Sequence, residues 1–425
     1  MSYKGDAKYR RLRRNNRIGV AHAAIGRNLN LVRSIPLALT WFYLHVTPSD
    51  LQNILIIGVV VSTLVSLSDR RRLFSLAKMS SIWFPLGLMF LLGLTASALA
   101  GGDGHSFRLV ILISLVIVLG VLSIFQNGLH SALWGLTLGA SAVAFAGLFR
   151  HITGTSVGLN IFDDRYAGLR GLESYDTLNS VVGLVAVVGL ITNSISRTVA
   201  LTLPALLLGV TLILADLTAG LISLGVLLIS ALAMKFLMLS PRPALGKYFL
   251  AVLTGLGILA ILLLSQMRAS IWLASFVGEE QSVEARFQIW NSVFSVMEPI
   301  GWTFGHGTFF WAQGSSKLVA VHERFSDLGL PAFGHSHNSF LDFFVALGLA
   351  GVFLGSFLIW TYIRHAIDLF RDGSNWTSRA SAWLFLLPLL TLALSESAIV
   401  HSANGWLLVG LLIGGIAHHR EFEAR

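Results

Sequence analysis

The stretch "GHSHNSFLDFFVALGLAGVFLG", residues 334–355, sets polar, titratable groups at the mouth of an apolar helix-forming run. His335, His337 and Asn338 come just before the run, and Asp342 falls in its first turn. Asn338 or Ser339 can cap the helix. The positive end of the helix dipole then faces the histidines, which draws anions there and biases an imidazole toward its neutral, proton-accepting form. Asp342 can orient a neighbour or simply complement the dipole. About fifty residues upstream, "SVEARFQIWNSVFSVMEP" repeats Val283, Phe287, Trp290, Phe294 and Met297 at helical spacing, which predicts an amphipathic helix over 283–298 stopped by Pro299. Arg286 falls on the border of its apolar stripe. An arginine keeps its charge, so a half-buried one needs an anionic partner. Glu280 or Glu284 could be that partner, or the site could await a phosphate. An isolated histidine at a helix mouth is more often a satisfied polar residue than a catalyst. "HSH" could also be half of a metal site, but zinc needs three or four ligands, and His306 and His322 complete no recognised spacing. No metal or other cofactor is expected.

The elements that must position these groups are membrane helices. The 425 residues are 55% hydrophobic and 12% charged, with a mean hydropathy of +0.74. A soluble chain carries about 25% charged residues. Runs such as "FRLVILISLVIVLGVLSIF" match the roughly 20 apolar residues a bilayer crossing needs. The pattern predicts an all-α, polytopic membrane protein of about twelve spans, near 33–47, 51–67, 81–100, 107–125, 128–149, 178–195, 198–214, 217–235, 246–264, 338–360, 382–400 and 405–417. That divides the chain into a basic tail (1–32), nine spans (33–264), a large loop (265–337), three spans (338–417) and a short tail (418–425).

With both ends inside, the inner segments hold 22 of the 30 Lys and Arg, a positive-inside bias. The net charge of +9 then reads as an orientation signal rather than a nucleic-acid surface. The N-terminal segment is too long and polar ahead of its first apolar run for a cleaved signal peptide, and is expected to lie on anionic headgroups. Both long loops, near 150–177 and 265–337, face outward, and long ordered loops are usually functional. Cysteine is absent, which excludes disulfides and thiolate chemistry.

"EARFQIWNSVFSVMEPIGWTFGHG" followed by "GHSHNSFLDFFVALGLAGVFLG" resembles the O-antigen ligase and polymerase family of bacterial envelope proteins. Arg286, Trp290, Gly305, Gly307, His337, Asn338, Phe340, Leu341, Gly348 and Gly351 fit its pattern. "LSESAIVHSANGWLLVG", with Glu396, Asn404 and Trp406, resembles the exopolysaccharide polymerase branch. "DRYAGLRGLESYDTLNSVVG" is a looser match through Arg165, Gly168 and Asn179. The resemblance spans about 160–410 and is strongest over 284–355. Many members carry a Ser-Arg pair near the position of "ADLTAGLISLGV". This chain has Asp216, Leu217, Thr218 and Ala219 there, which leaves Arg165, Arg170 or Arg268 to supply the charge.

The resemblance implies a GT-C-like, metal-independent glycosyltransferase at the periplasmic face of the inner membrane, acting on undecaprenyl-diphosphate-linked saccharides as donor and acceptor. His337 would be the base, Arg286 would neutralise the diphosphate and Asn338 would support them. Trp290, His335, Asp342 and Glu396 would contact sugar or diphosphate beside the three further arginines. A polymerase joining repeat units is the favoured activity, and it brings a chain-length-regulating membrane protein as a plausible partner. A ligase delivering chains to lipid A core is the alternative. A transporter is the second alternative, disfavoured because the spans are nearly free of charge while polar residues gather at the outer face.

Overall fold

The computed structural model describes residues 33–42, 80–99, 104–153, 174–191, 195–214, 218–239, 280–307, 310, 315–327, 336–371, 388–393 and 403–423. Among them there is no strand, and the fold class is all-α as expected. The main helices are α1 (Ser80–Leu99), α2 (Gly104–Thr153), α3 (Ser174–Leu190), α4 (Ile195–Leu214), α5 (Thr218–Leu239), α6 (Glu280–Val296), α7 (Pro299–Phe304), α8 (Ser316–Asp327), α9 (Ser339–Arg371) and α10 (Ala403–Glu423). Residues 33–42 and 388–393 are also helical. The expected spans at 51–67 and 246–264 lie outside the described residues, as does most of 382–400.

Phe107–Ile124, Gly128–Phe149 and Ser339–Asp368 are each long and apolar enough to cross a membrane, and shorter apolar helices occupy α1, α3, α4, α5 and α10. The chain is a helical membrane protein. The expected spans 107–125 and 128–149 are one element in the backbone, α2, broken at Gly128 by a φ of 78°. The expected span 338–360 extends to Arg371 and is broken at Gly348.

Two apolar cores organise the chain. The larger joins α2 to α3, α4, α5, α10 and the segment 33–42 through residues such as Leu37, Leu133, Leu136, Val182, Leu208 and Leu407. Glycines bring its helices together, as lipid-embedded bundles require when no hydrophobic effect drives helix against helix. A Cβ on Gly120 of α2 would stand 2.4 Å from the Leu407 carbonyl oxygen of α10, and one on Gly410 would stand 2.1 Å from the Ile117 oxygen. Polar pins add register. The Trp41 indole donates to Asn179 Oδ1 at 2.8 Å, and the Asn179 amide donates to the Ala140 carbonyl at 3.0 Å. Asn179 is therefore a buried knot of three helices. The smaller core gathers Ile289, Val293 and Met297 of the α6 segment, Phe310, Val321 and Phe325 of the α8 region, and Leu341, Phe344 and Val345 of α9.

The two cores meet where α9 is interrupted. Gly348 has φ 63° and ψ −164°. Carbonyls in the last turn before a break lack helical donors. Those of Val345 and Ala346 accept the backbone N–H groups of His306 and Gly307 at 2.8 and 3.0 Å. The approach is so close that a Cβ on Gly305 would stand 2.4 Å from Ala346 backbone, and one on Gly348 would stand 2.5 Å from Gly305 N and Thr303 O. Both residues have positive φ, so a side chain there is strained in conformation as well as in space. Gly348→Ala and Gly305→Ala should each cost about 2 kcal/mol or more, from positive φ and overpacking together. The measurement is the thermal unfolding of detergent-purified protein, in which Gly225→Ala, at an open helix surface, should leave the transition near wild type.

Candidate functional site

The turn before α9 is built by its own side chains. Asn338 caps the helix, its Oδ1 accepting the N–H groups of Phe340 at 2.9 Å and Leu341 at 3.0 Å. Ser336 is fully buried. Its hydroxyl accepts the Asn338 N–H at 3.2 Å and donates to the Asn338 carbonyl at 2.9 Å. Its own N–H donates to Asp342 Oδ1 at 3.1 Å. Asp342 is 1% exposed, so the carboxylate in the first turn serves both the dipole and the turn. Between these fixed residues His337 takes φ 55°, the left-handed region, the sole non-glycine among the described residues to do so. Such a conformation costs on the order of 1–3 kcal/mol and persists where surroundings over-determine it. Here the Ser336–Asn338 and Ser336–Asp342 bonds on either side impose it, and the imidazole is half-buried rather than sealed in the core.

One bond ties this turn to the large loop. The Trp290 indole N–H donates to the Ser336 carbonyl at 2.9 Å. Arg286 lies one helical turn before Trp290 on the same face of α6, where residues four apart are neighbours. Arg286 and Trp290 thus share the face of α6 whose indole reaches the turn that holds His337. Arg286 is half-buried and Glu284 is exposed. Trp290 also packs on Phe287, with ring centroids 4.8 Å apart. Below it, Phe294, Trp302 and Phe344 form an aromatic cluster with centroids 5.4–6.0 Å apart.

Several expectations shift. The loop helix runs from Glu280 to Val296 rather than 283–298. Its buried line is Ile289–Val293–Met297, while Phe294 is open to the surroundings. The inward face is therefore rotated from the predicted stripe toward Arg286. Pro299 ends that helix and begins α7 at its first position, where a missing N–H costs nothing. Trp290, expected to touch substrate, also donates its N–H to the Ser336 carbonyl, and Asp342, expected there too, also accepts the Ser336 N–H. Ser336 itself was not anticipated. The Ser-x-Asn spacing of a side-chain turn could have marked it. Arg165, Arg170, Arg268, His335 and Glu396 lie outside the described residues, as does 154–173 of the loop near 150–177.

His306 is a buried histidine, set by the backbone bond that closes the α9 break. Its ring lies over Gly301, where a Cβ would stand 2.1 Å from Nε2, and 5.9 Å from the Phe310 ring. Nε2 has no hydrogen-bond partner among the described residues. Burial, and then the Lys317 charge, hold its pKa below the usual 6.5, with Glu298 opposing. Lys317 in turn is paired with Glu298, which lowers the Glu298 carboxyl.

The fold and site define a helical membrane protein with an arginine-bearing loop helix pinned to the polar mouth of a broken span. Residues 182–355 match the family model described as O-antigen ligase. The matched segment is similar to that family, and it contains Arg286, Trp290, His337, Asn338 and Asp342. No curated protein matches the chain.

Asn338→Ala removes the cap and should destabilise the helix mouth by about 1 kcal/mol, read as a lower unfolding temperature, whereas Asn338→Asp should retain most of it. For His306 the folded pKa lies below the unfolded one. Protons then bind the unfolded chain more strongly, and stability should fall as pH drops through about 6.5. The check is thermal unfolding at pH 7 and pH 5, where His306→Gln should lose less stability on acidification than wild type.

Proposed function

We propose that the protein is a polysaccharide polymerase that joins lipid-diphosphate-linked repeat units at the outer face of the bacterial inner membrane. The observation that supports this reading is the Trp290–Ser336 bond, which ties the helix carrying Arg286 to the turn carrying His337. A sugar diphosphate already holds a good leaving group, so the chemistry needs positive charge on the departing diphosphate and a base for the attacking hydroxyl. The acceptor hydroxyl oxygen attacks the anomeric carbon of the donor. The bond from that carbon to the diphosphate oxygen breaks, and the electron pair leaves with the diphosphate beside Arg286. His337 takes the hydroxyl proton. A single direct displacement inverts the anomeric configuration. Arg165, Arg170 and Arg268 are the further cations available for the diphosphate, and His335 and Glu396 the further polar groups for sugar. No step requires a metal.

The left-handed backbone at His337 supports this assignment, since strain held in place by neighbouring hydrogen bonds gathers at functional sites. Polymerase is preferred over ligase on the "SES…NGW" resemblance near the C-terminus, and a chain-length-regulating membrane protein would be a partner on the same ground. The positive-inside count supports the outward orientation of the site.

His337→Ala and Arg286→Ala should each reduce chain growth from purified lipid-linked repeat by about 100-fold or more, the scale of a lost general base or charge stabiliser. Activity should persist in a chelator. Normal growth in either variant would remove that residue from the mechanism. In a deletion strain, single repeats left on lipid identify a polymerase, and long undelivered chains identify a ligase.

A further inference from the structure

The short helix α7 exposes its large apolar side chains. Ile300, Trp302 and Phe304 are 48%, 40% and 36% exposed within the sequence "PIGWTF". Ile300 and Phe304, four residues apart, share one face of α7, while Trp302 lies on the opposite side and stacks on Phe294; exposed apolar side chains sharing a face on a water-facing loop mark something that covers them.

The height of α7 along the bundle is known from its bonds. The residues that follow it, His306 and Gly307, are hydrogen-bonded to Val345 and Ala346, immediately before the α9 break, and α7 packs on both α1 and α9. Past the break, α9 exposes Leu349, Val352, Phe353, Phe357 and Trp360, with Phe353 at 74% and Trp360 at 61%. That strip is the lipid-facing side of a membrane span. Charge returns at Arg364 and Asp368. From Gly348 to Asp368 the helix rises about 30 Å, which is the thickness of the hydrocarbon layer. With the charged end of α9 at one boundary, Gly348 falls at the other. Outward of it α9 carries buried polar groups, Ser339 and Asp342. α7 thus lies at the level where the lipid-facing strip ends. Glu298, at the start of α7 and paired with Lys317, is largely open to solvent, as the water side of such a helix requires.

We propose that α7 docks into the lipid surface, with Ile300 and Phe304 seated at the boundary of headgroups and acyl chains on the side of the α9 N-terminus. Its consequence is metrical. The anchor and the α9 break lie in one plane, and His337 stands at most about 20 Å outward of that plane along α9. The loop cannot drift from this height without extracting two apolar side chains from lipid. The docking stands whether or not His337 is the base, because it follows from exposure and depth alone.

The chain contains no cysteine, so Ile300→Cys and Phe304→Cys each create one labelling site, and Glu323→Cys on the exposed face of α8 serves as the aqueous control. Each variant is labelled with bimane and reconstituted in phosphatidylethanolamine–phosphatidylglycerol vesicles. Quenching is then compared between lipid carrying a nitroxide near the headgroup and iodide in the buffer. The expected result is several-fold stronger lipid quenching at 300 and 304 than at 323, with the order reversed for iodide. Iodide quenching at 300 and 304 equal to that at 323 would overturn the proposal. So would shielding of both positions from iodide by added repeat-unit oligosaccharide without lipid quenching, which would reassign the surface to glycan. Two label positions keep the test valid if one variant fails to fold.

Discussion

A helix interrupted near lipid leaves carbonyl groups that water cannot reach, and each unsatisfied one costs several kcal/mol. The structure depends on how this debt is settled at Gly348. Val345 and Ala346 offer their carbonyls outward from the helix, and the loop supplies the His306 and Gly307 amides. Only glycine fits on either side of that contact, at Gly305 and Gly348. The loop is therefore tied to the span at a defined height. The rest of the outer structure, from α6 to α8, is arranged from that point.

From this junction the geometry runs outward along two parallel supports. Phe294, Trp302 and Phe344 fill the space between α6, α7 and α9, and Ile289, Val293, Phe325 and Val345 pack the same interface. At the far end Trp290 reaches the Ser336 carbonyl. The polar turn at Ser336–Asp342 fixes the backbone of His337 on the other side of that bond.

The correction at α6 shows how the reading of a single helix is limited. Its apolar residues are arranged almost as two stripes, one through Phe287, Trp290 and Phe294 and one through Ile289, Val293 and Met297. Periodicity alone favours the aromatic one. The structure buries the aliphatic one against Phe325 and Val345 and leaves Phe294 at the surface beside Trp302. A surface near lipid has two apolar phases to face, protein interior and bilayer, so hydrophobicity does not tell which side is inward.

The sequence alone determined the helical class, the membrane setting, the break between Phe107–Ile124 and Gly128–Phe149, and the cap at Asn338, because apolar run length, glycine and capping chemistry are local properties. It also singled out Arg286 and His337 by type and family pattern. Tertiary structure decided how the loop meets the span. The Trp290–Ser336 bond and the backbone junction at Gly305 and Gly348 depend on segments roughly 40 residues apart meeting at one height. Hydrogen bonds across such a separation are set by packing in three dimensions, and no local pattern in the chain encodes them.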